Sequence, residues 1–348
     1  MSLPMSLPMG LDVGAVEAWC AAHVPGLRGP FTVEVIRGGQ SNPTYALESP
    51  SGSFILRRKP MGKLLKSAHA VDREFRVQKA LAHSDVPVAG MLGYCDDPGV
   101  VGSEFYLMAR VPGRVFQDPR LREFETHQRG ALMAEMARVL AAIHSVDLEA
   151  VGLGDYGPCG AYFRRQYTRW SEQYRASETE PLDEMDALIE ALETACPEDD
   201  GRLSLVHGDY RLDNLMFAEA GTDCVAVLDW ELSTLGHPFA DLAGVLMQWR
   251  MPPGAEGRGL AGVDRADLGL PSDDEFLARY GEAAGTELPR DFGPYLAFAF
   301  FRMAAILQGV KKRALDGNAA DPERGLKMGA YVPDFARAGL KALGALGL

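Results

Sequence analysis

His207-Gly208-Asp209-Tyr210-Arg211-Leu212-Asp213-Asn214 follows the apolar pair Leu205-Val206. It precedes two short apolar runs, residues 215–217 and 225–228, and the second run ends at Asp229-Trp230-Glu231. Gly208 lets the backbone turn tightly behind the first strand. A hairpin over the two runs brings Asp209, Asn214 and Asp229 to one end of a small sheet. Two carboxylates and an amide oxygen are hard donors. They suit Mg²⁺, which keeps waters and substrate phosphate oxygens in the rest of its shell.

Phosphoryl transfer needs these parts: a carboxylate facing the acceptor hydroxyl, and metal ions neutralising a triphosphate. The spacing H-x-D-x-x-x-x-N is also that of the protein-kinase catalytic loop. Three fixed residues recur by chance roughly once in 8,000 positions, so the strand–hairpin–Asp context is what makes the signal specific. The bland alternative is a solvated loop rich in Asp and Asn.

The N-terminal part supplies counterparts. Gly38-Gly39-Gln40-Ser41-Asn42 lies between two strand-like runs, residues 31–36 and 45–48. Its backbone N–H groups suit phosphates, although a plain hairpin turn reads the same way. A third strand covers residues 54–58. Arg57 stands on it where a kinase carries its phosphate-pairing lysine, and Glu74 on the following helix is its expected partner. Taken singly, both are ordinary surface residues. Strand alternation sends Arg58 to the opposite face.

The remaining pattern is helical. A first helix covers residues 12–23, with Asp12 as its N-cap, and another covers 71–82. A strand at 105–108 is closed by Pro112-Gly113. Helical spacing then runs through 130–145, 161–175, 181–194, 240–249 and 274–283, with a β-rich insert at 204–229. Residues 251–271 read as a long surface loop. The fold class expected is α+β: a small antiparallel-sheet lobe over residues 1–111 and a mostly helical lobe over 112–348.

Composition narrows the function. The chain has 348 residues, 47% hydrophobic and 24% charged, with a net charge of −13. That acidity disfavours nucleic acid as a partner. Cysteines stand at 20, 95, 159, 196 and 224, an odd number with no C-x-x-C spacing. Such usage disfavours a disulfide framework or structural zinc and fits a cytoplasmic location. The start, MSLPMSLPMG, lacks the basic and apolar segments of a signal peptide. The apolar run at 295–307 is broken by Arg302. It reads as too short and too charged to span a membrane, and as a buried helix instead.

At this point the chain resembles the aminoglycoside phosphotransferase/choline kinase-like family, which shares the protein-kinase-like bilobal fold. The resemblance rests on residues 205–214, on Val227-Leu228-Asp229-Trp230-Glu231 and on Gly236-His237-Pro238-Phe239-Ala240-Asp241-Leu242-Ala243. It is strongest toward the subgroup that also occurs as the kinase-like domain of acyl-CoA dehydrogenase fusion proteins. Residues 54–60 and 300–310 look like that subgroup. The resemblance implies ATP and Mg²⁺ as cofactors, Asp209 as catalytic base, and Asn214 and Asp229 as Mg²⁺ ligands. It also implies a hinge at Met108, Arg110 and Val111 whose backbone holds adenine. The family's antibiotic kinases carry Lys where this chain has Arg57, and the two are not interchangeable.

Arg211, two residues past Asp209, is either a cation acting on the transferring phosphoryl group or the ion-pair partner of Asp213 or Glu231. His207 reads as a tie for the catalytic-loop backbone, and His144 and His237 as packed or capping histidines. Tyr162, Arg164, Arg165, Gln166, Arg169, Trp170 and Arg175 form a basic-aromatic helix. It is either a solvated amphipathic face or a wall for an anionic acceptor, and Lys311-Lys312-Arg313 carries the same ambiguity. The expected activity is transfer of the γ-phosphoryl of ATP to a hydroxyl of a small molecule by a monomer or homodimer. The acceptor guess is a hydroxy acid or hydroxyacyl-CoA. A cationic aminoglycoside would instead draw on the acidic net charge. The rivals are a non-catalytic nucleotide-binding regulator of the same fold and a metal-dependent hydrolase, which lacks its His pairs here.

Overall fold

The computed structural model describes residues 10–36, 42–61, 70–253, 258–319 and 321–344. The N-terminal elements are α1 (Val13–His23), β1 (Thr32–Ile36), β2 (Thr44–Ser49), β3 (Gly52–Arg58), α2 (Val71–Ala80), β4 (Met91–Cys95), α3 (Pro98–Val101), β5 (Phe105–Ala109) and β6 (Arg114–Val115). Next come α4 (Thr126–His144), α5 (Tyr162–Ser177), α6 (Asp183–Ala195), β7 (Ser204–Val206), β8 (Leu215–Phe217), β9 (Cys224–Val227) and β10 (Thr234–Gly236). The chain closes with α7 (Phe239–Trp249), α8 (Arg265–Leu268), α9 (Asp273–Ala284), α10 (Gly293–Leu315), α11 (Pro322–Gly329) and α12 (Val332–Ala342).

Two compact units result. One comprises Met1–Phe116, Asp147–Leu153 and Asp213–Ser233. The other comprises Gln117–Val146, Gly154–Leu212 and Thr234–Leu348. A single cut at residue 111 therefore does not describe the chain. The physical reason is strand pairing: β6 bonds to β8, and β8 to β9, which draws residues 213–233 into the first unit.

In the first unit an antiparallel sheet has the order β1-β2-β3-β5-β4. Side chains alternate across β3. Leu56 joins Tyr45, Leu47, Phe105 and Leu107 in the core that α1 covers through Val16 and Cys20. Arg58 shares that face, buried, donating to the carbonyls of Gly10 and Val101. Arg57 faces the other way, toward α2. Asp12 caps α1 by accepting from the Ala15 N–H, as its position predicts. The glycine-loop residues Gly38, Gly39, Gln40 and Ser41 lie outside the described residues.

The second unit is helical apart from β7 and β10, which pair antiparallel. Its centre is α10, which packs on α12, α11, α5 and α7, while α4 packs on α9. With 23 residues, α10 is long and apolar enough to cross a membrane by length and composition, yet 61% of its most apolar window is buried against the rest of the unit. Burial, not shortness, marks it as a core helix. α3, β4, β6, β10, α11 and α12 had no sequence expectation. Within residues 251–271 the chain forms the short helix α8, so that stretch is not wholly a loop.

Candidate active site

In the first unit, β3, α2 and the turn after β9 gather a charged cluster. Arg57 Nε lies 3.0 Å from Glu74 Oε2, and Arg57 Nη2 donates to Asp229 Oδ1 at 2.7 Å. Glu231 Oε2 is 3.9 Å from the same Nη2. Glu74 is only 1% exposed. The Tyr106 hydroxyl donates to its Oε2 at 2.9 Å and the Asn42 amide to its Oε1 at 2.8 Å. A buried carboxylate needs such donors as well as a cation. Burial pushes Glu74 up to about 7, against the opposing pull of Arg57 and Tyr106. Burial alone would lower Arg57. The carboxylates of Glu74 and Asp229 outweigh it and hold the guanidinium above its ordinary range, so Arg57 stays a cation.

The expected pairing of Arg57 with Glu74 is present. Asn42 departs from its expected place over phosphates: it is buried and holds Glu74. Glu74 on α2 is a buried carboxylate, and it takes the Asn42 amide donor.

Asp229 stands at the end of β9 with φ of 63° and ψ of 60°. A left-handed backbone at a non-glycine residue costs about 1 kcal/mol or more and marks a constrained position. The turn holding it is tight: buried Trp230 donates from Nε1 to the Val227 carbonyl at 3.0 Å, and the Ser233 hydroxyl donates to the Trp230 carbonyl at 2.6 Å. The Leu228 N–H donates to the Asn214 carbonyl at 2.8 Å. Asn214 and Asp229 therefore leave adjacent strands side by side. Among the described residues no group of three or more His, Cys, Asp and Glu side chains converges on a metal position. Asn214 and Asp229 offer an oxygen-only pair, which fits Mg²⁺ completing its shell with water and phosphate.

The hinge residues are also in this unit. The Arg110 N–H donates to the Ser53 carbonyl, and its side chain pairs with exposed Glu48 at 2.6 Å. Its N–H is thus used within the sheet, and its side-chain pair is exposed on both sides. Met108 and Val111 are half-buried beside it.

In the second unit the loop after β7 carries Asp209. Its backbone is held by Asp241 at the start of α7. The Asp241 carboxylate accepts from the His207 N–H at 2.7 Å and the Gly208 N–H at 2.8 Å, and His144 Nε2 lies 3.3 Å away. Burial alone would raise Asp241. His144, His207 and the Gly208 N–H outweigh it and hold the carboxyl below the usual range. His144 in turn contacts the Tyr280 hydroxyl at 2.8 Å. It is packed, as its helix-end position suggests, edge-on to the Tyr280 ring, and through Asp241 it also supports the loop. His207 Nδ1 accepts from the Asp209 N–H at 3.3 Å, the backbone tie expected of it. Accepting there requires Nδ1 to be unprotonated. Gly208 has φ of +84°, which only glycine adopts without strain. His237 caps α7, its Nδ1 accepting from the Phe239 N–H.

Arg211 Nε lies 3.1 Å from Asp209 Oδ2. Asp209, two residues away on the same turn, is thus a partner that the sequence reading, which named Asp213 or Glu231, did not include. The basic helix α5 divides in two. Tyr162, Tyr167 and Trp170 are buried, Arg164 pairs with Glu193, and Arg175 pairs with Glu178 and Asp186. Arg165 caps the carbonyls of Pro158 and Cys159. Arg169 is exposed and lies over the Trp170 ring. Lys311 and Lys312 pair with Glu180 and Asp316. Most of these cations are therefore committed to neighbours.

Sequence reasoning missed Asp241, His144, Tyr106 and the role of Asn42. Asp241 had a readable signal, a lone charge at the head of the apolar helix 239–249. Tyr106 had none beyond its strand.

Residues 32–298 match the model of the phosphotransferase enzyme family. Acyl-CoA dehydrogenase family member 10 of Mus musculus is 45% identical over 293 residues, covering 84% of this chain and 27% of that protein. Member 11 of the same organism is 38% identical over 341 residues, covering 95% and 43%. The chain thus spans less than half the length of these relatives. A Ralstonia eutropha protein assigned as an aminoglycoside phosphotransferase has a crystal structure that matches with a TM-score of 0.88 and 45% identity, over 96% of this chain and 98% of that one. Aminoglycoside phosphotransferase APH(4)-Ia, solved with AMP-PNP and hygromycin B, matches at 16% identity and a TM-score of 0.62, covering 95% and 100%. That likeness speaks for the fold alone. The chain belongs to the phosphotransferase enzyme family and has its α+β kinase-like fold.

Proposed function

We propose that the chain is an ATP-dependent small-molecule kinase that moves the γ-phosphoryl group to an acceptor hydroxyl. The observation that carries the reading is the build of the loop around Asp209. Two backbone N–H groups are clamped by a buried carboxylate, a histidine holds a third, and the Asp209 side chain stays partly exposed. A structural loop gains little from aiming one carboxylate so firmly. Family membership supports the same reading.

In this reading Asp209 accepts the proton of the acceptor hydroxyl as its oxygen attacks the γ-phosphorus and the bond to the ADP oxygen breaks. Such help supplies roughly 10²–10⁴-fold. Arg211 holds the Asp209 carboxylate and offers positive charge toward the transferring group. Arg57, kept by Glu74, contacts nucleotide phosphates. The sequence of Gly38, Gly39, Gln40 and Ser41 assigns that stretch to the phosphates, and the backbone around Met108, Arg110 and Val111 receives adenine. Mg²⁺ held by Asn214 and Asp229 would neutralise phosphate charge when bound. The acceptor class is a hydroxy acid or hydroxyacyl-CoA. It is supported by the dehydrogenase family members whose length exceeds this chain and by the exposed cation Arg169. All five cysteines are free thiols, in keeping with the cytoplasm.

One observation favours the second reading, a nucleotide-binding regulator: Arg57 already occupies one oxygen of Asp229. The deciding experiment measures ATP consumption against a panel of hydroxylated acids, their acyl-CoA thioesters and aminoglycosides. An acceptor should stimulate turnover, and Asp209→Asn should abolish the stimulation by 10²–10⁴-fold while ATP still binds. ATP binding with no acceptor-stimulated turnover would select the regulator.

A further inference from the structure

Arg302 is the single charge between Gly293 and Val310 on α10. Its neighbours along the helix, Phe298, Phe300, Phe301, Ala304 and Ala305, are buried, and it is itself half-buried. A guanidinium there loses hydration, so its contacts must replace water. Its Nη2 donates to the Gly208 carbonyl at 3.3 Å, and its Cζ lies 5.9 Å from the centroid of the Trp170 ring. Among the described residues no carboxylate forms an ion pair with it. Charge neutralisation does not explain its presence, and packing alone would be served by Met or Leu.

The carbonyl it touches belongs to the same peptide unit as the Asp209 N–H. That N–H donates to His207 Nδ1 at 3.3 Å. The peptide before it presents the Gly208 N–H to Asp241 at 2.8 Å. Gly208, at φ of +84°, has no Cβ to restrain rotation of the planes on either side. Anchors from outside the loop must therefore set the direction in which Asp209 leaves it. Asp241 fixes the first plane, while His207 and Arg302 grip the second at opposite edges.

We propose that Arg302 is a positioning residue. By bonding the Gly208 carbonyl from α10, it fixes the Gly208–Asp209 peptide plane and so aims the Asp209 carboxylate. The inference rests on reading Asp209 as the group that takes the acceptor proton. Trp170 flanks the guanidinium and limits its rotamers, so α5 and α10 jointly determine where the carboxylate points.

The test uses the full chain with Arg302→Met, which keeps length and loses the donors, and Arg302→Lys, which keeps one donor. Phosphate release from Mg-ATP, with water as acceptor, is measured alone and in an Asp209→Asn background. Arg302→Met should lower the rate about 30–100-fold at unchanged ATP affinity, as a displacement of about 1 Å does. Arg302→Lys should recover most of the loss. In the Asp209→Asn background the same substitution should change nothing, because the two act as one unit. The second readout needs no turnover. Hydrogen exchange at the Asp209 amide should speed about tenfold in Arg302→Met and return toward wild type in Arg302→Lys. An equal rate loss in both backgrounds, or unchanged exchange, overturns the inference. If wild type and Asp209→Asn release phosphate equally, the kinase reading fails, and exchange alone decides whether Arg302 holds the loop.

Discussion

The Arg57 cluster and the Asp209 loop solve the same problem, holding a carboxylate in place, by opposite means. Around Arg57, side chains hold side chains: Glu74, Asp229 and Glu231 share one guanidinium, and Asn42 and Tyr106 satisfy Glu74. Around Asp209, the backbone is held: Asp241, His207 and Arg302 all bond peptide groups. The first arrangement depends on charge state and should respond to pH and to loss of a cation. The second depends on peptide geometry, so disturbing it should cost rate more than binding.

The largest break in that comparison is Asp209→Asn, the control already described, which removes chemistry and leaves both frameworks standing. Next is Arg57→Met. It leaves Glu74 buried without its cation, and removing one partner of a buried pair costs about 3–5 kcal/mol. Urea unfolding should show that loss, and Glu74→Gln in the same chain should restore much of it. If Arg57→Met is as stable as wild type, the cluster is not held by charge.

A smaller effect follows from Glu74. Its folded value is about 7 and its unfolded value roughly 4.3, so the native state binds the proton more tightly. Its stabilising contribution is full below the unfolded value and is lost as pH rises through about 7. Across that window wild type should lose stability relative to Glu74→Gln, measured as the unfolding midpoint at each pH. A constant difference would mean Glu74 stays ionised throughout. The smallest effect should come from Arg110→Ala. Its pair with Glu48 is exposed on both sides, so the melting temperature should not move measurably.

Legibility followed sequence distance. Asp209, Asn214 and Asp229 were readable because a strand, a glycine and a hairpin place them within 21 residues. Arg57 and Glu74 were readable from the order of strand and helix. Asp241 was readable only as a lone charge on an apolar helix; its pairing with His144 was not, because that contact spans 97 residues and nothing near either position names the other. The placement of residues 213–233 in the first unit was equally hidden, since β6 is only two residues long.

By itself the sequence determined which residue types face which side of each element, and hence the carboxylates, the amide and the cation available to the site. Spacing and alternation are local rules, and they act before the chain is packed. Tertiary structure alone decided the long-range pairings: Asn42 with Glu74, His144 with Asp241, and Arg302 with the Gly208 carbonyl. A buried donor or charge takes whichever partner packing brings within about 3 Å, and that choice is made by elements far apart in the chain.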